Sequence, residues 1–266
     1  MPMHDTMSAH ISAVTVTYNS AAVIEQCLDA LRAAGVPGIV VDNASTDDSA
    51  GIAARNGAHV LRQDANIGFG RGMNVGAAHM QTPYCLLINP DATITAEALG
   101  ALLAAAETHP NAVIVAPKII EPDGRVFEHR SVLEKDGKII VSGACLLVRR
   151  EWFLDVGGFD PAIFLFYEDD DLCRRAWDGG HEVLYVPEAQ VLHLRGKSVA
   201  PSFRHTYTIR YHQAWSRRYV CQKYGLPHGR WKPLVISFLK LIFATLTLRK
   251  MRMARYLGSL MGNLQS

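Results

Sequence analysis

Residues able to do chemistry gather at a few places in this chain. Asp42 closes the fully apolar run 39–41, and Asp91 closes a second apolar run, 84–88, by way of Asn89 and Pro90. A carboxylate beyond the end of a buried strand can accept hydrogen bonds from a pyrimidine imide or a ribose, and two of them converging on one crevice suit a nucleotide and its metal. Singly, Asp, Asn and Ser after a strand are ordinary turn and cap formers. Their joint placement carries the functional reading. The densest cluster is Tyr167-Glu168-Asp169-Asp170-Asp171-Leu172-Cys173-Arg174-Arg175. Acidic residues that open a helix, with arginines three or four positions on, make a solvated first turn. Four adjacent carboxylates also repel one another, which acts to raise one of them toward the pKa of a general base, while the helix N-terminus pulls the other way. Phe164, Phe166 and Tyr167 just before them supply an apolar or stacking wall.

Two further groups are weaker alone. His193 lies in the late strand read over 190–194; a strand histidine is more often structural, but with Asp91 it completes a hard-cation set of one carboxylate, one imidazole and phosphate oxygens that Mg2+ or Mn2+ accepts. The run from Asn66 to Asn74 has glycines at 68, 70 and 72, followed by Gly76, a spacing that is not G-x-G-x-x-G, and it comes after the wrong strand for a dinucleotide fingerprint. A nicotinamide oxidoreductase is disfavoured on that ground. The run does offer backbone N–H groups beside Arg71, a suitable neighbour for a diphosphate. No phosphate-loop lysine motif, H-E-x-x-H or G-x-S-x-G occurs.

The elements that must position these groups alternate. Residues 11–18 read as a strand, 21–34 as a helix, 39–41 as a strand and the stretch after Asp47 as a helix. Strand residues 60–61, a helix near 72–80 and the strand 84–88 come next. Strands alternating with helices imply a mostly parallel sheet with helices on both faces. Residues 113–120, 124–127 and 138–148 read as strands of a more mixed sheet, 152–156 and 172–177 as short helices, and 183–186 and 190–194 as late strands. From Pro201 the chain is aromatic, basic and helical in pattern.

With 266 residues, 49% of them apolar, the chain can bury one large α/β domain, and collagen-like, low-complexity and disulfide-scaffold classes are excluded. Five scattered cysteines without a C-x-x-C pair argue against a disulfide framework or zinc ribbon and for a reducing compartment. Residues 1–9 carry no basic segment followed by an apolar run, the pattern of a secretory leader, so the cytosol is expected. The net charge of +2 conceals an asymmetry: 14 of the 27 Lys and Arg fall in 189–266, which has no Asp or Glu. An acidic body with a basic tail points to a polyanionic partner, anionic lipid or nucleic acid. No nucleic-acid motif is present and the acidic body would repel a phosphate backbone, so nucleic acid is not expected.

The ordered set Val16-Thr17-Tyr18-Asn19, Val41-Asp42-Asn43-Ala44-Ser45-Thr46-Asp47, Asn66 to Asn74, Asn89-Pro90-Asp91, Gly143 to Arg149, Gly157-Gly158-Phe159-Asp160, Glu168 to Arg175 and His193 resembles the family 2 inverting glycosyltransferases of GT-A fold, closest to their bacterial rhamnosyltransferase-like branch. The resemblance covers about residues 11–198. It implies a GT-A catalytic domain over residues 1–200, with a nucleotide-sugar half at about 11–92 and an acceptor half at about 93–200, followed by a basic helical region over 201–266. It implies a metal-dependent hexosyltransferase-type enzyme. Thr17, Tyr18, Asn19, Asp42, Asn43, Asn66, Gly68, Arg71, Asn74, Asn89 and Asp91 then lie on the donor side, and Gly143, Ala144, Phe166 and Tyr167 on the acceptor side. Asp169 becomes the catalytic base beside Glu168, with Asp170 as the substitute. Asp91 and His193 become the ligands of Mg2+ or Mn2+. Asn89-Pro90-Asp91 stands where many members have D-x-D, so the first carboxylate is missing. The favoured donor is dTDP-L-rhamnose, with UDP-N-acetylhexosamine or UDP-hexose next, and the acceptor a saccharide or polyprenyl-diphosphate-linked saccharide of a bacterial surface polysaccharide. A catalytically silent nucleotide-sugar-binding protein on the same fold is the other class; the joint presence of Asp42, Asp91 and Asp169 argues against it.

The tail has its own signal. Residues 233–248 would make a helix about 24 Å long, short of the roughly 30 Å hydrocarbon core of a bilayer. Ser237, Lys240, Ala244 and Thr247 form a narrow stripe on it, and Arg249, Lys250, Arg252 and Arg255 come directly after. A helix packed on the protein's own core is the plain reading. The acid-free basic flank, with Trp215, Tyr219 and Trp231 upstream, favours an interfacial helix on the cytoplasmic face of an inner membrane.

Overall fold

The computed structural model describes residues 3–129, 131–133, 137–194, 202–227, 229 and 231–265. The chain divides into two compact units, one of Met1–Pro161 with Asp169–Val199, the other of Ala162–Glu168 with Ala200–Ser266. The boundary expected at 200/201 lies outside the described residues, and the short segment Ala162–Glu168 groups with the tail.

The first unit is built on one sheet of β1 (Ile11–Thr17), β2 (Gly38–Asp42), β3 (His59–Arg62), β4 (Tyr84–Ile88), β5 (Ala92–Ile94), β6 (Ala112–Ile120), β7 (Cys145–Arg149) and β8 (Glu182–His193), in the order β3-β2-β1-β4-β7-β6-β8-β5. β3, β2, β1 and β4 run parallel, as the alternating half of the sequence requires. Beyond β4 the sheet is mixed: β7 is antiparallel to both β4 and β6, β8 is parallel to β6, and β5 is antiparallel to β8. Every residue of β1 and β4 is buried, the mark of strands covered on both faces. Alternation along β1 shows the two covers. Ile11 and Ala13 join the core with Ile24, Leu28 and Leu31 of α2 (Ile24–Ala33) and Leu99 and Leu102 of α5 (Ala96–Thr108). Val14 and Val16 meet α4 (Phe69–Ala78), where a Cβ on Gly76 would clash with the Val14 side chain and one on Gly72 would come within 2.9 Å of Val16. The helix rests on the sheet because those positions have no side chain. All five cysteines are free and buried.

The second half of the sheet departs from the sequence pattern in three places. Residues 138–148 are expected as one long strand, but the strand is Cys145–Arg149 alone; Ile140 and Val141 are buried outside it, and a turn at Gly143-Ala144 comes just before it. The strand expected over 124–127 reduces to a single bridge between Ile120 and Val126. The two late strands are one, β8, which bulges where Pro187 cannot donate: one step along β6, from Pro117 to Lys118, matches the step from Val186 to Gln190. Residues 92–112, which no pattern assigns, supply β5 and α5. The Thr95 hydroxyl caps α5 by accepting from Ala98 N at 3.2 Å.

The second unit contains α8 (Phe203–Lys223), α9 (Trp231–Leu246) and α10 (Lys250–Leu264). Ala254, Gly258 and Gly262 form a buried small-residue stripe on α10. A Cβ on Gly258 would clash with Tyr207 O and one on Gly262 with Tyr211 O, so α10 lies backbone to backbone on α8. On α9 the small residues Ser237 and Ala244 face inward. Trp231, Val235, Phe238, Leu239, Phe243 and Leu246 are exposed, Leu246 to 78%. Among the described residues no helix is long and apolar enough to cross a membrane.

Candidate functional site

The site forms where the parallel strands end. Thr17 and Asp42 are the last residues of β1 and β2 and stand in register. The buried Asp42 accepts from Thr17 Oγ1 at 3.0 Å on Oδ1 and from Ser45 N at 3.3 Å on Oδ2, so its carboxylate is fixed in orientation. Asn19, in the left-handed region at φ 55°, accepts with Oδ1 from Thr46 N at 2.8 Å and from Thr46 Oγ1 at 3.0 Å. The loop after β1 is thereby tied to the loop after β2, and Tyr18 is left exposed. Asn43 Nδ2 donates to Gly68 O at 3.1 Å, which brings in the glycine-rich run.

That run plays a more structural part than its residue types suggest. Asn66 Oδ1 accepts from Gly68 N at 2.9 Å, closing a turn in which Gly68 takes φ 92°, a conformation that favours glycine. Asn74 is expected on the donor side; instead its amide clasps Phe159, donating to the carbonyl and accepting from the N–H at 2.8 Å each. Arg71, expected beside a diphosphate, donates through Nε to Pro161 O at 2.6 Å. Both residues hold the loop over 157–161, where Gly158 faces Asn74 so closely that a Cβ would clash with it.

After β4, the buried Asp91 meets His193, the last residue of β8, with Oδ1 and Nε2 3.1 Å apart. Asn89 Nδ2 lies 3.4 Å from the same nitrogen. The pairing of β5 with β8 sets this up, since Ala92 is opposite His193 and Leu194 N donates to Asp91 O at 2.9 Å. Asn89, Asp91 and His193 form an amide, carboxylate and imidazole set. Among the described residues the buried Asn89 Oδ1 has no hydrogen-bond partner, which leaves its lone pairs to a ligand. The set fits a hard divalent cation completed by phosphate oxygens.

Asp169, at the start of α7 (Glu168–Asp178), is tied to the same strand end. Asn89 N donates to Ala144 O at 2.9 Å, and the neighbouring Gly143 N donates to Asp169 Oδ2 at 2.7 Å. A Cβ on Gly143 would press on the Asp169 side chain at 3.1 Å, so glycine lets the carboxylate approach. The solvated acidic turn is not what forms here: Asp170 and Asp171 are buried and have separate partners. Asp171 takes Arg175 Nε at 2.8 Å, while the rest of that guanidinium donates to Val156 O and Gly158 O at 3.0 and 2.6 Å. Asp170 Oδ2 lies 3.1 Å from His129 Nε2, and among the described residues its Oδ1 has no partner. Burial first, then the Asp169 charge, push Asp170 up to about 7, against the opposing pull of His129. His129, Asp169 and Asp170 bring ligand atoms within 4.8 Å of one another, a second grouping a cation can join. His129 escapes a reading of the sequence, since no motif marks it. Glu168, Phe166 and Tyr167 fall in the second unit, Phe166 and Tyr167 at φ 67° and 71°.

The chain is similar in sequence and in fold to several known proteins. The sequence model described as glycosyl transferase family 2 matches residues 12–170. An N-acetylglucosaminyl-diphospho-decaprenol L-rhamnosyltransferase of Mycobacterium tuberculosis is 30% identical over 240 residues, covering 72% of this chain and 78% of that protein. A mannosyltransferase of Pyrobaculum calidifontis, solved with GDP-Man and Mn2+, superposes with a TM-score of 0.61 at 14% identity over 98% of this chain and 88% of its own. S. aureus TarS superposes with a TM-score of 0.57 at 18% identity over 77% of this chain, which spans 39% of that longer chain. These neighbours are glycosyltransferases that share the GT-A fold.

Proposed function

The chain belongs to glycosyl transferase family 2, and on that basis we propose that it moves a sugar, favoured as L-rhamnose from dTDP-L-rhamnose, onto a saccharide or polyprenyl-diphosphate-linked saccharide in bacterial surface polysaccharide synthesis. The observation that carries this is the bonded series from β1 to α7: Asp42 fixed by Thr17, Asn89 joined to Ala144, and Gly143 joined to Asp169. These bonds stand at the ends of the neighbouring strands β2, β1, β4 and β7, which puts a nucleotide-reading carboxylate and a second carboxylate suited to proton removal on the same side of the sheet. The rhamnosyl preference and the lipid-linked acceptor are supported by the name of the Mycobacterium tuberculosis relative. UDP-hexose or UDP-N-acetylhexosamine is the alternative donor, and one neighbouring structure holds UDP-GlcNAc.

In this reading Asp42 accepts from the base or ribose of the donor. Asp169 takes the proton of the acceptor hydroxyl as its oxygen attacks the anomeric carbon, and the nucleoside diphosphate leaves from the opposite face with inversion. Gly143 N, donating to Oδ2, aims the carboxylate without being consumed. Asp91 and His193, with Asn89 Oδ1, would hold Mg2+ or Mn2+, which supplies positive charge to the departing diphosphate. Nucleoside diphosphate release across a panel of sugar nucleotides and lipid-linked acceptors tests the reading. Release with dTDP-L-rhamnose well above the UDP-sugars is expected, and release from none of them would overturn it.

The second unit supports a place at the cytoplasmic face of an anionic membrane. The apolar residues of α9 point outward, and Lys232, Arg249, Lys250 and Arg252 are exposed around them, with no acid from 189 to 266 to oppose lipid phosphates. Removing 233–266 is a blunt test, because it also strips α10 from α8. Replacing Phe238, Leu239 and Phe243 with serine leaves Ser237 and Ala244 packed and is expected to abolish flotation with anionic vesicles while soluble donor hydrolysis persists. Undiminished flotation would remove the membrane reading.

A further inference from the structure

We propose that His129, Asp169 and Asp170 form a second metal site, suited to Zn2+ or a similar transition ion, and that an ion held there blocks the carboxylate read as the base. The site stands on its own geometry, while the block rests on the reading of Asp169 as the base. Each of the three side chains offers one ligand atom, and these lie within 4.8 Å of one another. His129 Nε2 and Asp170 Oδ2 are 3.1 Å apart. Two ligands of one tetrahedral ion, each about 2.0–2.2 Å from it, stand about 3.3 Å from each other. Asp169 accepts from Gly143 N on Oδ2 at 2.7 Å and from Asp170 N on Oδ1 at 3.0 Å, and each oxygen keeps a second lone pair. All three residues belong to the first unit.

Acidic residues at a helix start are by themselves only a solvated turn. Asp170 is what points to a ligand. It is 2% exposed, one of its carboxylate oxygens faces His129, and the other has no partner among the described residues. A buried carboxylate oxygen left bare is costly unless a proton donor or a cation reaches it. His129 is held independently of α7. It follows the turn after β6, where Phe127 N donates to Ile119 O at 2.9 Å, and its ring meets that of Phe127 edge-on at 6.1 Å. Its side chain is 20% exposed, so the cluster opens to solvent. The set of Asn89, Asp91 and His193 has a single carboxylate and needs the donor's phosphate oxygens to complete it. Here the chain alone supplies two carboxylates and an imidazole, the three protein ligands and open fourth position that Zn2+ takes. Mg2+ asks for near-octahedral oxygen and is served less well. An ion on Asp169 occupies the lone pair that would otherwise receive the acceptor's proton.

Titration of the chelator-washed, full-length protein with ZnCl2 by calorimetry, without donor, tests the site. One equivalent is expected to bind both the parent and Asp91→Ala. His129→Ala and His129→Gln are expected to weaken it by at least about 10- to 100-fold, since even changes behind metal ligands cost that much. Affinity unchanged in both His129 variants, or lost in Asp91→Ala alone, would overturn the site. With MgCl2, dTDP-L-rhamnose and acceptor present, saturating Zn2+ is expected to slow the parent by about 10²–10⁴, the loss of a general base. The inhibition constant should rise in the His129 variants by the same factor as the calorimetric dissociation constant. Asp169→Asn run alongside separates the two failures. Turnover in Asp169→Asn removes the base and with it the block, leaving calorimetry to decide the site; an inactive Asp169→Asn beside a parent that binds Zn2+ through His129 without slowing removes the block alone.

Discussion

On the roles proposed for Asp169 and Asp42, replacing Asp169 with asparagine keeps the shape of the side chain and an oxygen for Gly143 N but removes the proposed proton acceptor. Loss of a general base costs about 10²–10⁴ in rate, so single-turnover transfer should fall by that much while calorimetry shows donor binding retained. Asp42→Ala should do the reverse. A base or ribose contact exists in ground and transition states alike, so the donor's dissociation constant rises and kcat holds. Asp170 makes a different prediction. The folded protein keeps its proton up to about pH 7, whereas an ordinary aspartate releases it near 3.8. Between those values the folded state binds more protons than the unfolded one, so stability falls as pH rises. Melting temperature should decline from pH 4 to 7 more steeply in the parent than in Asp170→Asn; parallel slopes would refute the assignment. The placement of Asp42, Asp91 and His193 at strand ends is legible because apolar runs mark those strands. His129 is not, since a contact across 41 residues leaves no trace in local spacing. Asn74 deceives because an asparagine that clasps a backbone cannot be told by type from one that awaits a ligand.

Elements are legible where a single force dominates. The run 84–88 is apolar, short and buried, and β4 has those bounds. The run 138–148 looks equally strand-like, yet the ladder begins only at Cys145, after a turn at Gly143-Ala144 whose Gly143 N donates to Asp169. Here tertiary contact overrides periodicity. Glycine on α4 is the counterpart, a local weakness in the helix that tertiary contact demands. Gly76→Ala would drive a methyl into Val14 and Val41, and overpacking of this kind costs about 1–3 kcal/mol. Urea denaturation should show a lowered midpoint. An unchanged midpoint would mean that α4 can lift from the sheet without penalty.

At the scale of the whole molecule, charge and chemistry are apportioned unequally. The acidic residues all lie in 1–188, while 189–266 holds 14 of the 27 basic ones. A surface with that sign responds to ionic strength, since screening shortens to roughly 3 Å at 1 M salt. Vesicle flotation should therefore weaken between about 50 mM and 500 mM salt, and more in anionic than in neutral lipid, where only the apolar face of α9 is left to act. Equal retention at both salts would leave the basic flank without a role. The burial of all five native cysteines has a practical consequence for watching this event. No cysteine-free background has to be made first. Leu246→Cys, at the most exposed apolar position of α9, would present a maleimide dye with an accessible thiol while the native ones stay shielded. Quenching of that dye by brominated acyl chains would then read the depth of α9 directly.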